Sequence, residues 1–322
     1  MREASFLREV KKAGVSILKM KNALVVHHDD ADGIAAAAII IKARQARGLK
    51  TRTLVARYNT PPPSLLKEKA VIFVDFGATL AKEIDSLKNT RVVVLDHHAL
   101  SADKPRPAPR ENLFFVNPGD FKLDAEHAID GGQHICGASM AFHALKHSNV
   151  EGLAALALVG AAGDMQLKKG ALEFNRDVVE HGVSSGEIFK AGRSLNVFDS
   201  HSPLFEVVAN FLSPALPGLV HNEDASKAFL SKNGFDPQKK FVDMTPAEQE
   251  NLTSVLEKHA WQNGLPAKAI AKMRAEKFSF PQHASLPHAF REPVALAGLL
   301  NACSHLPAAN EEEVQRNAKK SD

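Results

Sequence analysis

Five short predicted strands, most of them largely apolar, constrain the fold of this chain most strongly. They lie at residues 23–26, 51–56, 70–74, 91–95 and 112–116, and the third is purely aliphatic and aromatic. Predicted helices alternate with them, beginning with residues 4–20 and 34–43. Continuous apolar strands that alternate with helices predict a parallel sheet covered on both faces. We therefore predict an α/β fold with a parallel, doubly wound sheet.

The length and composition of the chain allow more than one domain. It has 322 residues, of which 44% are hydrophobic, enough for two domains of ordinary size. The strand pattern ends near Lys190, and the later segments have the pattern of helices that are polar on one side. We predict an α/β domain over residues 1–190, a helical connector over 191–265, and an incomplete second domain with a polar tail over 266–322.

The composition also argues against several classes of protein. A formal net charge of +3 gives no general attraction for nucleic acid, so any such binding must come from a local groove. Cys136 and Cys303 are far apart and form no CxxC pair, which argues against a zinc site and against a disulfide framework. No apolar run reaches the length of a membrane span, and the N-terminus does not resemble a signal peptide. We expect a soluble, cytoplasmic protein that does not bind membranes.

The segment HHDDADG, residues 27–33, joins the first predicted strand to the helix that follows. So much charge in a strand-to-helix turn indicates a neutralising cation. Asp30 and Asp32 are two residues apart, so in an extended turn their carboxylates can point to the same side. Gly33 lets the backbone turn tightly into a helix whose N-terminus favours an anion such as phosphate. The structural alternative is a helix N-cap with additional acidic residues.

Acidic residues and histidines recur at the ends of other predicted elements. Because the strands of a parallel sheet end at one edge, the groups that follow them should converge there. Asp75 alone is explained as a strand-end or N-cap residue, and Asp164 follows an apolar helix, where a negative charge is unfavourable without a cation. The groups are His28/Asp30/Asp32, Asp75, Asp96/His97/His98 and Asp164.

Together these groups supply at least four carboxylates and two or three imidazoles. Such a set suits two divalent ions about 3.5–4 Å apart, with one carboxylate bridging them. Mixed oxygen and imidazole ligands favour Mn²⁺. Mg²⁺ is the alternative ion. We therefore predict a site for two divalent cations.

Four motifs, HHDDADG, VDFG, DHH and GDM, resemble in order the four motifs of the DHH phosphoesterase superfamily. Within it, HHDDADGI, the NPGD turn and CGASMAF resemble the RecJ-like single-strand nucleases, archaeal ones especially. The resemblance runs from the N-terminal helix to about Gln166, and LAGLLNAC near the end is a second, weaker match. Family II pyrophosphatases and small oligonucleotide or cyclic-dinucleotide hydrolases share the same metal scheme.

The resemblance implies a role for each matching residue. Asp96 would orient a neighbouring ligand, and His98 would face the substrate phosphate as an electrophile or proton donor. The backbone N–H groups of Gly137, Ala138 and Ser139, at a predicted helix start, would hold a neighbouring phosphate. The implied metal ligands are His28, Asp30, Asp32, Asp75 as the bridge, His97 and Asp164.

The activity implied by the resemblance is metal-dependent, single-strand-specific exonuclease action on DNA or RNA, linked to replication or repair. Two alternatives stay open. One is a hydrolase of short oligonucleotides, cyclic dinucleotides or phosphoadenosine phosphate. The other is a nucleic-acid-binding replication scaffold with weak or no turnover. Docking on a replication-helicase accessory complex is compatible with either nuclease or scaffold.

The C-terminal part departs from the RecJ-like pattern. Ser304 and His305 follow LAGLLNAC where the family has glycine and arginine, and no Gly-Gly-His motif follows. The resemblance therefore implies a catalytic α/β domain with only part of the second, substrate-binding domain, the rest being truncated or supplied by a separate polypeptide. Since phosphate contacts dominate single-strand affinity, we expect distributive cleavage of short oligonucleotides.

Overall fold

The computed structural model describes residues 2–56, 67–100, 105–121, 129–168, 170–197 and 200–304. The predicted polar tail and His305 lie outside these ranges. The strands in the described ranges are β1 Asn22–His28, β2 Lys50–Ala56, β3 Ala70–Val74, β4 Arg91–Leu95, β5 Leu113–Val116, β6 Phe189–Leu195 and β7 Arg274–Ser279. The helices there are α1 Arg2–Lys19, α2 Ala31–Gln45, α3 Ala81–Ser86, α4 Gly137–Leu145, α5 Leu153–Gly163, α6 Glu173–Ser184, α7 Leu204–Ala209, α8 Glu223–Lys232, α9 Pro246–Gln262, α10 Ala267–Ile270 and α11 Pro293–Ser304.

The first five strands form one parallel sheet in the order β2-β1-β3-β4-β5. Successive residues of a strand point to opposite faces, so Val25 packs in a core with α1, α2, α4 and α5, and Val26 packs on the other face with α3. The inner strands β1, β3 and β4 are buried on both faces, which explains their apolar sequences. The predicted α/β fold with a parallel sheet is confirmed.

More of the HHDDADG segment lies in the strand and the helix than the sequence predicted. β1 continues through His28 and α2 begins at Ala31, so only Asp29 and Asp30 lie between them. Asp30 caps α2, because its Oδ1 accepts a hydrogen bond of 3.0 Å from the Gly33 N–H. The predicted tight bend at Gly33 is wrong, since Gly33 is helical. A Cβ at this position would lie 2.4 Å from the His28 carbonyl oxygen, so the close approach of β1 and α2 requires glycine.

A second, two-stranded antiparallel sheet pairs β6 with β7. The prediction that strands end near Lys190 is therefore wrong. β6 is almost wholly exposed and contains Gly192, so it lacks the alternation of apolar and polar residues that indicates a strand.

The second half of the chain contributes to two cores. Side chains from β6 to α10 form a separate core around Leu204, Leu252 and Leu256. The following segment returns to the α/β domain, where Phe280 and Ala297 join its main core. The predicted domain boundaries at 190 and 265 stay a prediction. In the ranges that the structure describes, no helix is both long and apolar enough to cross a membrane.

Candidate metal centre

The predicted acidic and histidine residues come together at the C-terminal edge of the parallel sheet. The strands β1, β3 and β4 end side by side, and the end of α5 lies beside the start of α2. This places Asp75 and His97 against residues of the first motif and against Asp164. Convergence of strand ends at one edge of a parallel sheet therefore builds the cluster, as the sequence indicated.

Asp75 lies at the middle of the cluster. Its Oδ1 is 3.0 Å from His97 Nε2, and its Oδ2 is 3.9 Å from His28 Nδ1. The residue follows β3 in the left-handed conformation, with φ of 53°, and its N–H donates to the Leu95 carbonyl oxygen. Both carboxylate oxygens are buried and accept no hydrogen bond from any described residue. Burial, and then the Asp32 carboxylate, raise the pKa of Asp75 well above its usual value.

Three sets of possible metal-ligand atoms lie around Asp75, the donor atoms of each within 4.8 Å of one another. Two of them share no residue, namely His28/Asp30/Asp75 and Asp32/His97/Asp164. The third, Asp75/His97/His98, overlaps both. His97 Nε2 is 3.2 Å from Asp164 Oδ2 and 3.6 Å from Asp32 Oδ2. Burial of several carboxylates without a cation is unfavourable, so the two sets that share no residue fit divalent ions.

The electrostatics of the second set show the same excess of negative charge. Burial, and then Asp32, raise the pKa of Asp164 to about 7. Burial lowers the pKa of His97, but Asp32 and Asp164 outweigh it and the net change is upward. His97 Nε2 thus lies among the carboxylates of Asp32, Asp75 and Asp164.

The turn at the start of α4 has a different role from the predicted one. The Gly137 and Ala138 N–H groups donate to the two oxygens of Asp32, at 2.6 and 2.8 Å, and the Ser139 N–H donates to Cys136 Sγ. All of these groups are buried. The prediction that this turn holds a substrate phosphate is therefore corrected, because a carboxylate of the chain itself occupies the helix N-terminus.

A buried polar network behind His97 was not anticipated from the sequence. The Gly131 carbonyl oxygen accepts from His97 Nδ1 at 2.6 Å and from Gln166 Nε2 at 2.9 Å. Asn175 donates to Gln166 Oε1, and Ser139 Oγ donates to Asn175 Oδ1. Because Nδ1 carries the donated hydrogen, Nε2 faces the carboxylates as a ligand atom. Gln166 directly follows the GDM motif, but no local signal shows that it binds a carbonyl 35 residues away.

His98 lies on the outer side of the cluster and is half exposed, with 51% of its side chain accessible. Its Nδ1 is 2.7 Å from Asp96 Oδ1, and Asp96 also accepts from the backbone N–H groups of Ala78 and His98. Asn117 of the NPGD turn donates to the carbonyl oxygens of Asp96 and His98. Hydrogen bonding to Asp96 raises the pKa of His98. Asp96 thus orients His98, with the other ring nitrogen directed away from Asp96.

Asn301 of α11 is a second residue whose position the sequence does not indicate. Its Oδ1 accepts a hydrogen bond of 2.7 Å from the Ala31 N–H, the first residue of α2. This contact attaches the LAGLLNAC segment to the first motif, 270 residues away.

The parallel sheet and the acid-histidine cluster at its edge form an α/β domain with a candidate metal centre. Residues 22–162 match the family described as "DHH family, N-terminal domain". The sheet and the acid-histidine cluster are thus those of a segment that is similar to the DHH family. Members of this superfamily are generally metal-dependent phosphoesterases.

The relatives are distant. An uncharacterised protein of Methanocaldococcus jannaschii, MJ0831, is 26% identical over 241 residues, which are 72% of this chain and 52% of that protein. CDC45 from Entamoeba histolytica has a similar structure, with a TM-score of 0.58 and 11% identity over 86% of this chain and 58% of that one. RecJ from Thermus thermophilus, in complex with Mn²⁺, aligns with a TM-score of 0.44 and 18% identity over 96% of this chain and 39% of RecJ. The chain thus spans about half the length of the first two.

Proposed function

We propose that the chain is a two-metal-dependent phosphodiesterase that removes nucleotides from an end of single-stranded DNA or RNA. The observation that carries this proposal is the position of Asp75. Its two buried oxygens face separate sets of ligand atoms and receive no hydrogen bond from the described residues. A carboxylate so placed suits a bridge between two cations.

The proposed ligands are His28 and Asp30 on one side of Asp75, and Asp32, His97 and Asp164 on the other. Two divalent ions, when bound, would lower the pKa of a water molecule and neutralise charge on the phosphate. The Gly131 carbonyl fixes the His97 ring with Nε2 toward the carboxylates. The N–H groups of Gly137 and Ala138 hold Asp32. Mn²⁺ is the preferred ion, because the set mixes imidazole and carboxylate ligands.

His98 is the proposed catalytic residue outside the ligand set. Asp96 holds its Nδ1, so its Nε2 can donate a hydrogen bond to a non-bridging phosphate oxygen of the substrate. Such a bond strengthens as negative charge develops in the transition state. His98 is half exposed, as a group that meets an incoming strand must be.

The substrate class rests on the resemblance of the first motif, the NPGD turn and CGASMAF to the RecJ-like nucleases. A cytoplasmic location and a role beside a replication complex belong to the same proposal. The alternatives are hydrolysis of short or cyclic dinucleotides or of phosphoadenosine phosphate, and nucleic acid binding without turnover. The presence of all the predicted ligands in one cluster favours an enzyme over a scaffold.

One gel experiment tests these alternatives. The protein is incubated with Mn²⁺ and with DNA and RNA oligomers labelled at either end, alongside a cyclic dinucleotide, and an Asp75→Asn variant serves as the control. Ladders from single strands, absent with the variant, are the expected result. Cleavage of the cyclic dinucleotide alone would favour the small-molecule hydrolase. Strand binding without any cleavage would favour the scaffold.

A further inference from the structure

A cavity of about 780 Å³ lies where the α/β domain, the second sheet and the helical connector meet. Met165, Arg193, Lys277, Asn210 and Gln249 line it, together with the first turn of α11. It is thus built by segments far apart in sequence. The acidic cluster described above is not part of its lining.

Lys277 on β7 gives this cavity a cation without a partner. The side chain is partly buried, and its ammonium group makes no hydrogen bond or ion pair with any described residue. Burial lowers the pKa of Lys277, and Glu292 opposes this effect only in part. A lysine held in this way can bind an anion at small conformational cost.

Two of the four carboxylates that line the cavity pair with cations. Glu250 pairs with Arg274, and Glu276 pairs with Lys190. Glu292 lies 3.6 Å from His288, but burial lowers the pKa of His288, so this pair leaves Glu292 without a cation. Glu206 makes no ion pair within the described residues. Lys168, Arg193 and Lys277 thus face two uncompensated carboxylates in the lining.

The rest of the lining suits a ring with polar edges. Asn196, Asn210 and Gln249 supply amide groups, while Val207 and Phe211 supply apolar surface. The volume lies in the usual range of about 300–1,000 Å³ for small-molecule sites. An unpaired cation, amide groups and an apolar wall together match a phosphate, a nucleobase and their connecting sugar.

The cavity also borders the metal centre. Met165 directly follows the proposed ligand Asp164, has φ of 57°, and is 53% exposed on the cavity wall. The chain therefore passes directly from the proposed ligand Asp164 to the cavity wall.

From these observations we propose that the cavity binds one nucleotide, with its phosphate at Lys277 and its base among the amide groups of Asn196, Asn210 and Gln249. The choice of a nucleotide rests in part on the proposed function. The bound nucleotide is either the unit of the strand next to the scissile phosphate or a free mononucleotide.

The test is calorimetric titration of the whole chain with thymidine 5′-monophosphate in EDTA, so that the metal centre contributes nothing. We expect binding by the unchanged protein and at least tenfold weaker binding by Lys277→Met. Lys277→Arg should retain most of the affinity, and Lys232→Met, which removes an exposed lysine of α8 outside the cavity, should retain all of it. Absence of binding by the unchanged protein, or equal affinity of Lys277→Met, would overturn the proposal.

A second measurement identifies the source of the nucleotide. If the cavity holds a unit of the strand, thymidine 5′-monophosphate inhibits oligonucleotide hydrolysis competitively and Lys277→Met raises KM. If it holds a free nucleotide, kcat changes without competition. If the protein binds the nucleotide but cleaves no phosphodiester, the nucleotide site is supported and the proposed function is wrong. If it cleaves phosphodiesters but does not bind the nucleotide, the proposed function is supported and the nucleotide site is wrong.

Discussion

Two clusters of charged residues in this chain differ in the side chains that face their carboxylates, an arginine in one and histidines in the other. On β7, Arg274 forms four hydrogen bonds of 2.7–3.0 Å with Glu250 and Glu257 of α9. At the edge of the parallel sheet, Asp75 is buried among other carboxylates and receives no hydrogen bond from the described residues. The first cluster contains a permanent cation, whereas the second contains only histidines beside a larger number of carboxylates, so a bound cation would stabilise it.

The same contrast appears in the pKa values. The Glu250 hydrogen bonds, and then those of Glu257, raise the pKa of Arg274, so this cluster stabilises its charged form. Burial and carboxylate neighbours raise the pKa values of Asp75 and Asp164, so the metal centre destabilises their charged forms. A charged cluster that opposes its own ionisation is typical of a functional site rather than a structural ion pair.

The largest expected effect is the loss of activity in Asp75→Asn. Removing the proposed bridge should lower Mn²⁺-dependent phosphodiesterase activity by roughly a hundredfold or more. The same change should stabilise the metal-free protein, because it removes one buried carboxylate from a repulsive set. Rates on an end-labelled oligomer and urea unfolding in EDTA measure the two effects. Near-normal activity of Asp75→Asn would show that Asp75 does not bridge two metal ions. Glu257→Gln, in the Arg274 cluster, is the control that should remain active.

Adjacent histidines should separate metal binding from turnover. His97→Ala should lower Mn²⁺ occupancy, because His97 Nε2 faces three carboxylates. His98→Ala should keep the metal and lose about two to three orders of magnitude in kcat, the scale of one lost donor to a developing oxyanion. Elemental analysis and single-turnover rates measure these effects. If His98→Ala also empties the centre, the assignment of roles is wrong.

Acidification should stabilise the metal-free protein. The pKa of Asp164 is raised from 3.8 to about 7 on folding, so the folded state binds more protons than the unfolded state between these values. Stability therefore falls as pH rises through this interval. In EDTA, Tm should be higher at about pH 5 than at about pH 7.5, with a smaller difference in Asp164→Asn. A Tm that is independent of pH in both proteins would contradict the cause assigned to the shift.

The smallest effect is expected for a substitution in the cluster of Arg274, Glu250 and Glu257. Arg274→Met should cost about 1 kcal/mol of unfolding free energy, since a partly exposed ion-pair network contributes little. The kcat for hydrolysis of a short oligomer should change less than twofold. Urea unfolding and the same rate assay measure both quantities. A large loss of activity with unchanged stability would show that this cluster also serves the reaction.

The parallel sheet and the convergence of the proposed metal ligands were predictable, because both follow from local pattern. Apolar runs such as β3 and β4 identify buried strands, and a parallel sheet brings their ends together. The second sheet was not predictable, since β6 is exposed and polar.

Long-range hydrogen bonds are the part of the site that could not be predicted from the sequence. The start of α4 favours an anion, but the sequence does not show which one, and Asp32 lies 105 residues away from Gly137. The same holds for Asn301 and Ala31, and for Gln166 and Gly131, since no periodicity marks such pairs.

The central claim is that two cation sites share Asp75. Anomalous diffraction at the manganese edge, from crystals grown with Mn²⁺, tests it most directly. We expect two manganese peaks about 3.5–4 Å apart, with one Asp75 oxygen toward each. A single peak, or two peaks that Asp75 does not contact, would contradict it.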